Sequence, residues 1–392
     1  KMMKSVAYKN TPFSGFGLKY LGVIDGHNIK ELIEYLDYAK KCPTSVVLHV
    51  KTQKGRGFKF ASSDNTGAWH SVHPFDVESG LQQYSKYDEL AFGEKISDIL
   101  SSKIKEGNNQ IRVLTAGMPY GCGLSSFSSM HPNNFIDVGI AEENAIVMAS
   151  SMGSSNLIPF IFIYSTFLQR AYDEIIHDLA RNNAHAIICI DRAGIVSGDG
   201  ATHQGIYDVG YLNTVPNLNI LAPSNLIELN QMVNYVLKNP GTYAIRYPKN
   251  SYEFGSDISF NHGQWNIIKE SCNNKYVITY GPNVTLFTEL LKDSMVGLIN
   301  ASSIKPIDKN LISKLLIDNN ALYFYEEVSS SGSLYQYALT YINELYQEGS
   351  IKQFKVKTKS LPDTYLEVGS KEELTQLYNL QIEKFIKEVE ED

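Results

Sequence analysis

From about residue 85 onward, short apolar runs alternate with stretches of helical period, and no other feature restricts the fold as strongly. The apolar runs are Ile111–Thr115, Phe135–Val138, Ile158–Ile163, Ala186–Ile190, Leu218–Leu221 and Ala244–Arg246. Helix-like stretches lie between them, among them Glu142–Met152, Leu168–Arg181 and Ile227–Leu237. Strands apolar on every position are strands buried on both faces, which is the condition of a parallel sheet. Alternation with helices predicts βαβ units, hence an α/β fold of parallel-sheet domains with helices on both faces.

A polar stretch, Gly263–Asn274, reads as a boundary, and the alternation then resumes at Tyr276–Tyr280, Met295–Ile299, Ala321–Tyr325 and Phe354–Val356. A charged helix is expected over Lys371–Glu391, with Val389–Asp392 as a solvated tail. Before residue 85 the pattern is sparse. Asn28–Lys41 has helical period, with Asp25 or Asn28 as cap, and Ser45–Val50 reads as a strand. One helix and one strand make an incomplete domain. Asp76–Tyr87 reads as a linker. The expected division is 1–84, 85–260 and 261–392.

Composition narrows the function classes. Hydrophobic residues make up 43% of the 392, enough to build packed cores. The net charge of −7 gives no hint of the basic face that a nucleic acid would need. Leu157–Tyr164 is the longest apolar run, about eight residues against the ~20 a membrane span needs. Cys42, Cys122, Cys189 and Cys272 form no C-x-x-C pair, so neither a disulfide scaffold nor a zinc site is expected, and a reducing compartment is. No secretory leader is visible, and a chain opening on Lys1 reads as a piece of a longer one.

Loops following the carboxyl ends of parallel strands form binding crevices. One such loop runs Asp191-Arg192-Ala193-Gly194, then Gly198-Asp199-Gly200-Ala201-Thr202-His203-Gln204-Gly205. It offers a cation, a carboxylate and an imidazole; an Arg–Asp pair with a surface histidine is the plainer reading. Gly198-Asp199-Gly200, with Asn225 25 residues on, imitates a metal–diphosphate signature. We reject it, because Asp199 lies eight residues past its strand rather than at the strand's end ahead of a helix. Glu142 opens a helix after Phe135–Val138; the helix dipole would stabilise a carboxylate there, and the alternative is a buried acid serving a heterocyclic nitrogen. Tyr164–Arg170 leads from a strand into a helix. Arg246 closes a strand and is either an anion clamp or an inter-domain ion pair. His70 and His73 are three apart, but Pro74 opposes a helix that would present both to a metal. Glu326-Glu327 reads as a cap or an interface feature.

Taken together, these motifs resemble the 1-deoxy-D-xylulose-5-phosphate synthase family, thiamine-diphosphate enzymes of the transketolase group. The matching residues are Tyr20–His27, Lys54-Gly55-Arg56-Gly57, Ala141-Glu142, Tyr164–Asp173, Asp191–Gly194, Thr202–Gly205, Arg246-Tyr247-Pro248 and Leu361-Pro362-Asp363. The resemblance implies a transketolase-like fold. It also implies that pyruvate, after loss of CO2, is joined to D-glyceraldehyde 3-phosphate for isoprenoid, thiamine and pyridoxal synthesis. By the same resemblance Glu142 serves the aminopyrimidine ring of thiamine diphosphate, Phe167 packs on that ring, and Phe58 lines the cofactor site where the family usually has Tyr. His70 and His203 orient substrates and shuttle protons, with Asp199 steering His203. Arg192, Arg246, Tyr164 and Arg170 bind the acceptor's phosphate. Ser62 and Ser63 replace an acidic–basic pair of the family.

The family's diphosphate signature and Mg2+ ligands are not found in this chain, so no metal ligands are assigned in it. Residues 1–84 are expected to be the remnant of the diphosphate-binding domain, 85–260 the pyrimidine-binding domain, and 261–392 the C-terminal domain. The missing portion is expected to be deleted or supplied by a separate N-terminal fragment, and the chain alone to bind cofactor weakly. A homodimer in a bacterial cytoplasm or a plastid is implied. The alternatives are another transketolase-type enzyme with a sugar-phosphate donor, and a non-catalytic subunit.

Overall fold

The computed structural model describes residues 11–64, 67–70, 72, 74–81, 92–249 and 258–392. His73, the 84/85 boundary and the far half of the expected linker lie outside the described residues. The chain divides into two compact units, Lys1–Gln82 and Gln83–Asp392.

The first unit is built on one βαβ turn, with short helices at Pro12–Gly15 and Lys59–Ser62. β1 (Lys19–Asp25) and β2 (Val46–Lys51) pair in parallel, and the helix Ile29–Lys40 connects them. Asn28 caps that helix by accepting from the Glu31 amide at 3.3 Å. Leu21, Ile24 and Tyr35 form the small core. β1 was not legible in the sequence, because its Tyr-Leu-Gly-Val run is short and holds a glycine that lowers strand propensity.

The second unit contains β3 (Ile111–Thr115), β4 (Phe135–Asp137), β5 (Ile158–Tyr164), β6 (Ala186–Asp191), β7 (Leu218–Leu221), β8 (Thr242–Arg246), β9 (Asn266–Lys269), β10 (Lys275–Thr279), β11 (Gly297–Asn300), β12 (Ser303–Lys305), β13 (Ala321–Ser329) and β14 (Val356–Leu361). They form a seven-stranded sheet in the order β12-β7-β8-β6-β5-β3-β4 and a five-stranded sheet in the order β14-β13-β10-β11-β9. All pairings are parallel except the edge strands β12 and β9. Period two sorts the side chains. Phe160, Phe162, Ile187 and Cys189 face one core, and Ile161, Ile163, Ile188 and Ile190 face another. That second core continues into Ile278, Ile299 and Phe324 of the five-stranded sheet, so the two sheets share one hydrophobic interior. Val277, Leu298 and Tyr323 face a third core. Among the described residues no helix is long and apolar enough to cross a membrane.

Five expectations need correction. The expected boundary Gly263–Asn274 contains β9, whose Ile267 and Ile268 are masked by polar flanks, as befits an edge. The last strand lies not at Phe354–Val356 but at Val356–Leu361, where alternating lysines suit an edge position. Leu168–Arg181 is not one helix. It is a short α turn (Ser165–Leu168), a 3-10 turn (Gln169–Ala171), one more α turn and a π turn (Ile175–Ala180). Lys371–Glu391 is two helices, Lys371–Leu377 and Ile382–Glu391. Asn379 separates them at φ +59, a left-handed stop that asparagine tolerates.

The terminal residues are not a solvated tail. Val389 is 1% exposed, packed with Phe385 and Ile386 on the five-stranded sheet. Asp392 reaches Lys357 at 2.6 Å, Lys355 at 2.9 Å and the Tyr323 hydroxyl at 2.9 Å. Removing residues 389–392 is therefore expected to destabilise the second unit by about 2–3 kcal/mol from the lost valine burial alone. Chemical denaturation of the shortened chain measures this; an unchanged midpoint would contradict the docking.

Candidate functional site

The sheet topology gathers the polar side chains at the carboxyl ends of β5, β6 and β8. β5 ends at Tyr164, whose ring stacks on Phe167 with centroids 5.7 Å apart. On the same ring lies the Arg192 guanidinium, its carbon 3.8 Å from the centroid. Phe167 meets the His203 ring edge-on at 5.4 Å. The Thr166 hydroxyl donates to the Thr202 carbonyl at 2.8 Å, which ties the two loops together. Tyr164, Phe167, Arg192 and His203 thus form one continuous cluster.

Arg192 sits at φ +58, a left-handed conformation that costs a non-glycine residue of order 1–3 kcal/mol. Its neighbours hold it there. Arg192 Nη1 donates to Asp191 Oδ1 at 2.8 Å and to the Gly121 carbonyl at 2.9 Å. The returning strand of the loop pairs Gly194 with Gly205 through bonds of 2.7 and 3.0 Å. Gln204, buried, closes the loop by accepting from the Val196 amide and donating to the Val196 carbonyl, both at 2.9 Å. Asp199 receives Lys249 Nζ at 2.8 Å and Arg192 Nε at 3.4 Å. Burial pushes the Asp199 carboxyl up, but Lys249 and Arg192 outweigh it and hold the group below its ordinary value. The hydrogen bonds of Asp199 go to the two cations, His203 acts on it through charge, and His203 Nδ1 lies 3.0 Å from the Thr202 hydroxyl.

Burial also raises Asp191, to about 6, despite Arg192 beside it. The folded state then holds this proton more tightly than the unfolded chain does. The stability that Asp191 contributes is present below its unfolded value of 3.8 and falls as pH rises toward 6. Substitution Asp191→Asn should remove that slope. The melting-temperature gap between the variant and wild type should shift in the variant's favour from pH 4 to about 6; a gap that stays constant would contradict the assignment.

Glu142 is the first residue of the helix Glu142–Gly153 and is 3% exposed. Arg170 Nη1 stands 3.0 Å from its Oε2 and reaches Glu143 at 3.6 Å. Even so, Oε2 makes no hydrogen bond of acceptable geometry. Arg170, expected with the phosphate ligands, is here the partner of Glu142. It stands three residues after Phe167, so the same short segment carries the ring contact and the carboxylate contact.

Arg246 closes β8 and is buried against Asp208, the first residue of the helix Asp208–Asn213. β8 lies beside β6, and Ala193 donates to the Tyr247 carbonyl at 2.9 Å. Arg246 lines a cavity of about 30 Å3 with Ala193, Gly194, Asn283, Glu327 and Lys371. Lys371 pairs with Glu327 at 3.0 Å. Glu326 caps the helix Leu334–Gln347, accepting from the Leu334 and Tyr335 amides, in line with the capping reading of the paired acids. Asn225 caps the helix Leu226–Lys238 through the Ile227 and Glu228 amides.

Phe58 and His70 belong to the first unit. Phe58 packs in an aromatic cluster with Phe60, Trp69 and Phe75, centroids 5.0–5.5 Å away. His70 Nδ1 lies 3.3 Å from Lys54 Nζ. In the same unit Asp25, His27, Lys51 and Arg56 line a cavity of about 350 Å3. Among the described residues no three His, Cys, Asp or Glu side chains are grouped to hold a metal ion. The sequence reading missed Lys249 and Asp208. A lysine three residues past the Arg246 strand end was a signal for the first; nothing marked the second.

A family model described as the transketolase pyrimidine-binding domain matches residues 89–254, and one for the transketolase C-terminal domain matches 263–385. A third, described as 1-deoxy-D-xylulose-5-phosphate synthase, matches residues 1–52. The chain is 36% identical to the 1-deoxy-D-xylulose-5-phosphate synthase of Clostridium acetobutylicum, over 99% of this chain and 62% of the relative. It is 35% identical to that of Clostridium tetani, over 99% and 62%. The chain is a homologue of the 1-deoxy-D-xylulose-5-phosphate synthases over 99% of its length. It is 34% identical to the synthase of Bacillus licheniformis, over 96% of this chain and 60% of that protein. The chain thus spans about 62% of the length of the curated synthases it matches. Two solved structures share the fold. A split-gene transketolase, titled an inactive β4 tetramer, has a TM-score of 0.66 at 23% identity over 76% of this chain and 98% of its own. Transketolase from Campylobacter jejuni has a TM-score of 0.61 at 15% identity over 96% and 68%.

Proposed function

We propose that this chain serves a thiamine-diphosphate-dependent transferase that joins pyruvate, with loss of CO2, to D-glyceraldehyde 3-phosphate, yielding 1-deoxy-D-xylulose 5-phosphate. The observation that carries the reading is Glu142, buried at a helix start with one carboxylate oxygen left without a properly aligned donor. An unsatisfied buried carboxylate is costly unless a ligand completes it. The aminopyrimidine half of thiamine diphosphate fits the donor set, because it offers ring and exocyclic nitrogens to a carboxyl group and a flat face to Phe167. When bound, the cofactor supplies an acidic ring carbon and a sink for the electron pair that CO2 leaves behind. Glu142 holds and exchanges the proton at the pyrimidine nitrogen, and Arg170 keeps that carboxylate oriented. Ligands for the diphosphate and Mg2+ are assigned outside this chain, so the 392 residues alone should bind the cofactor weakly.

His203, backed by Phe167, moves a proton at the substrate oxygen, and the resemblance assigns His70 a like duty. Phe58 lines the cofactor site. Arg192 and Arg246, with Tyr164, take the acceptor's phosphate; Lys249 joins them through Asp199. Two cations, one of them bidentate, suit a dianion. The division into 1–84, 85–260 and 261–392 assigns a separate duty to each segment: diphosphate-side remnant, pyrimidine side, and support. We assign a homodimer acting in isoprenoid and thiamine biosynthesis, in a bacterial cytoplasm or a plastid.

The active enzyme should release CO2 from carboxyl-labelled pyruvate in step with a phosphorylated five-carbon product. Transfer from a ketose phosphate without CO2 would favour the sugar-phosphate alternative instead.

A further inference from the structure

Arg246 is more tightly held than a phosphate ligand needs to be, and what holds it is not among the residues assigned above. Both oxygens of Asp208 engage it: Oδ2 accepts from Nε at 2.9 Å, and Oδ1 accepts from Nη2 at 3.1 Å. Asp208 is itself wholly buried, and its Oδ1 also accepts from the Val209 amide at 3.0 Å, which locks the carboxylate to the first turn of its helix. The guanidinium carbon lies 5.5 Å from the centre of the Tyr280 ring. Tyr280 is fixed in turn, its hydroxyl donating to Glu326 at 3.0 Å.

A guanidinium presents two edges that can each grip a pair of oxygens. Asp208 fills the Nε–Nη2 edge. Nη1 has no hydrogen-bond partner among the described residues, and Arg246 lines the small cavity at the ends of β6 and β8. The carboxylate therefore fixes both the plane of the fork and the edge it offers. A side chain with four torsions, fixed beforehand in this way, gives up little freedom when a ligand arrives.

We infer that Asp208 is a positioning residue: it aims the free Nη1 edge of Arg246 at the phosphate of the acceptor. This rests on the phosphate reading of Arg246 given above. The competing view is that Asp208–Arg246 is a buried ion pair whose only duty is to hold the helix on the sheet, and such pairs destabilise when one member is lost.

The readout is the ratio of kcat/KM for D-glyceraldehyde 3-phosphate to kcat/KM for D-glyceraldehyde, with pyruvate as donor, in the active enzyme carrying this chain. Loss of stability or of active fraction cancels in this ratio. Aim at the phosphate does not cancel. The ratio should fall tenfold or more in Asp208→Asn, and also in Asp208→Glu, which keeps the charge but displaces the fork by one methylene. A ratio within twofold of wild type in both, alongside a tenfold fall in Arg246→Lys, would overturn the positioning role and leave the phosphate reading standing. An unchanged ratio in Arg246→Lys would overturn both. Should Asp208→Asn not fold, Asp208→Glu decides by the same ratio.

Discussion

Glu142→Ala should lower turnover at saturating thiamine diphosphate by 10²-fold or more, the low end of what a positioned acid–base group contributes, roughly 10²–10⁴. The fold should barely notice. Glu142 stands in the first turn of its helix, where a carboxylate's favourable interaction with the dipole is about 0.3–1 kcal/mol. Arg170 is half exposed and keeps Glu143 as a partner, so the substitution strands no buried charge. A large kinetic loss with a near-wild-type melting curve is therefore the signature of a carboxylate placed for chemistry. Turnover within twofold of wild type would mean that Glu142 is a capping residue only, and would favour the non-catalytic alternative.

The second large effect is expected at Gly205. A Cβ there would lie 1.9 Å from the Arg192 carbonyl oxygen and 2.9 Å from the Ala193 Cα, both backbone atoms that no rotamer change can clear. Gly205→Ala must therefore open the two hydrogen bonds to Gly194 or displace the Arg192 turn. Overpacking costs about 1–3 kcal/mol, and each broken bond adds about 0.5–1.5 kcal/mol. A loss of about 2–6 kcal/mol follows, read as a lowered denaturation midpoint. Because the turn carries Arg192, KM for the phosphorylated acceptor should rise as well. Gly198→Ala is the internal control. In the same loop, at φ +81, its Cβ would meet no atom within 4 Å, so only the left-handed backbone cost of about 1–2 kcal/mol applies. Equal effects at the two glycines would contradict the close approach of the loop's two sides.

The strands of the seven-stranded sheet were legible because burial on both faces leaves no polar residue to interrupt Ile158–Ile163 or Ala186–Ile190. The edge strands were not. β9 and β14 mix lysine, asparagine and threonine with their apolar residues, since one side of an edge meets solvent. The Ile382–Glu391 helix misled in the opposite sense. Its charge density reads as a solvated face, yet Phe385, Ile386 and Val389 form a narrow stripe that is fully covered. At the site, Arg192, Asp199 and His203 could be read as neighbours because one glycine-rich loop carries them. Their pairing could not. Lys249, fifty residues from Asp199 along the chain, takes that carboxylate only because β6 and β8 are adjacent. Asp208 was invisible for the same reason: no local pattern shows which of several acids a sheet will set beneath a distant arginine. The pairing of Arg170 with Glu142 was not legible because a 3-10 turn, not a regular α period, carries Arg170.

A structure of the active enzyme with thiamine diphosphate bound tests the central claim most directly. The account predicts a Glu142 carboxylate oxygen within hydrogen-bond range, about 2.6–3.2 Å, of a pyrimidine nitrogen, with Phe167 against the ring face. A cofactor seated with its pyrimidine away from Glu142, and that carboxylate still facing only Arg170, would contradict it.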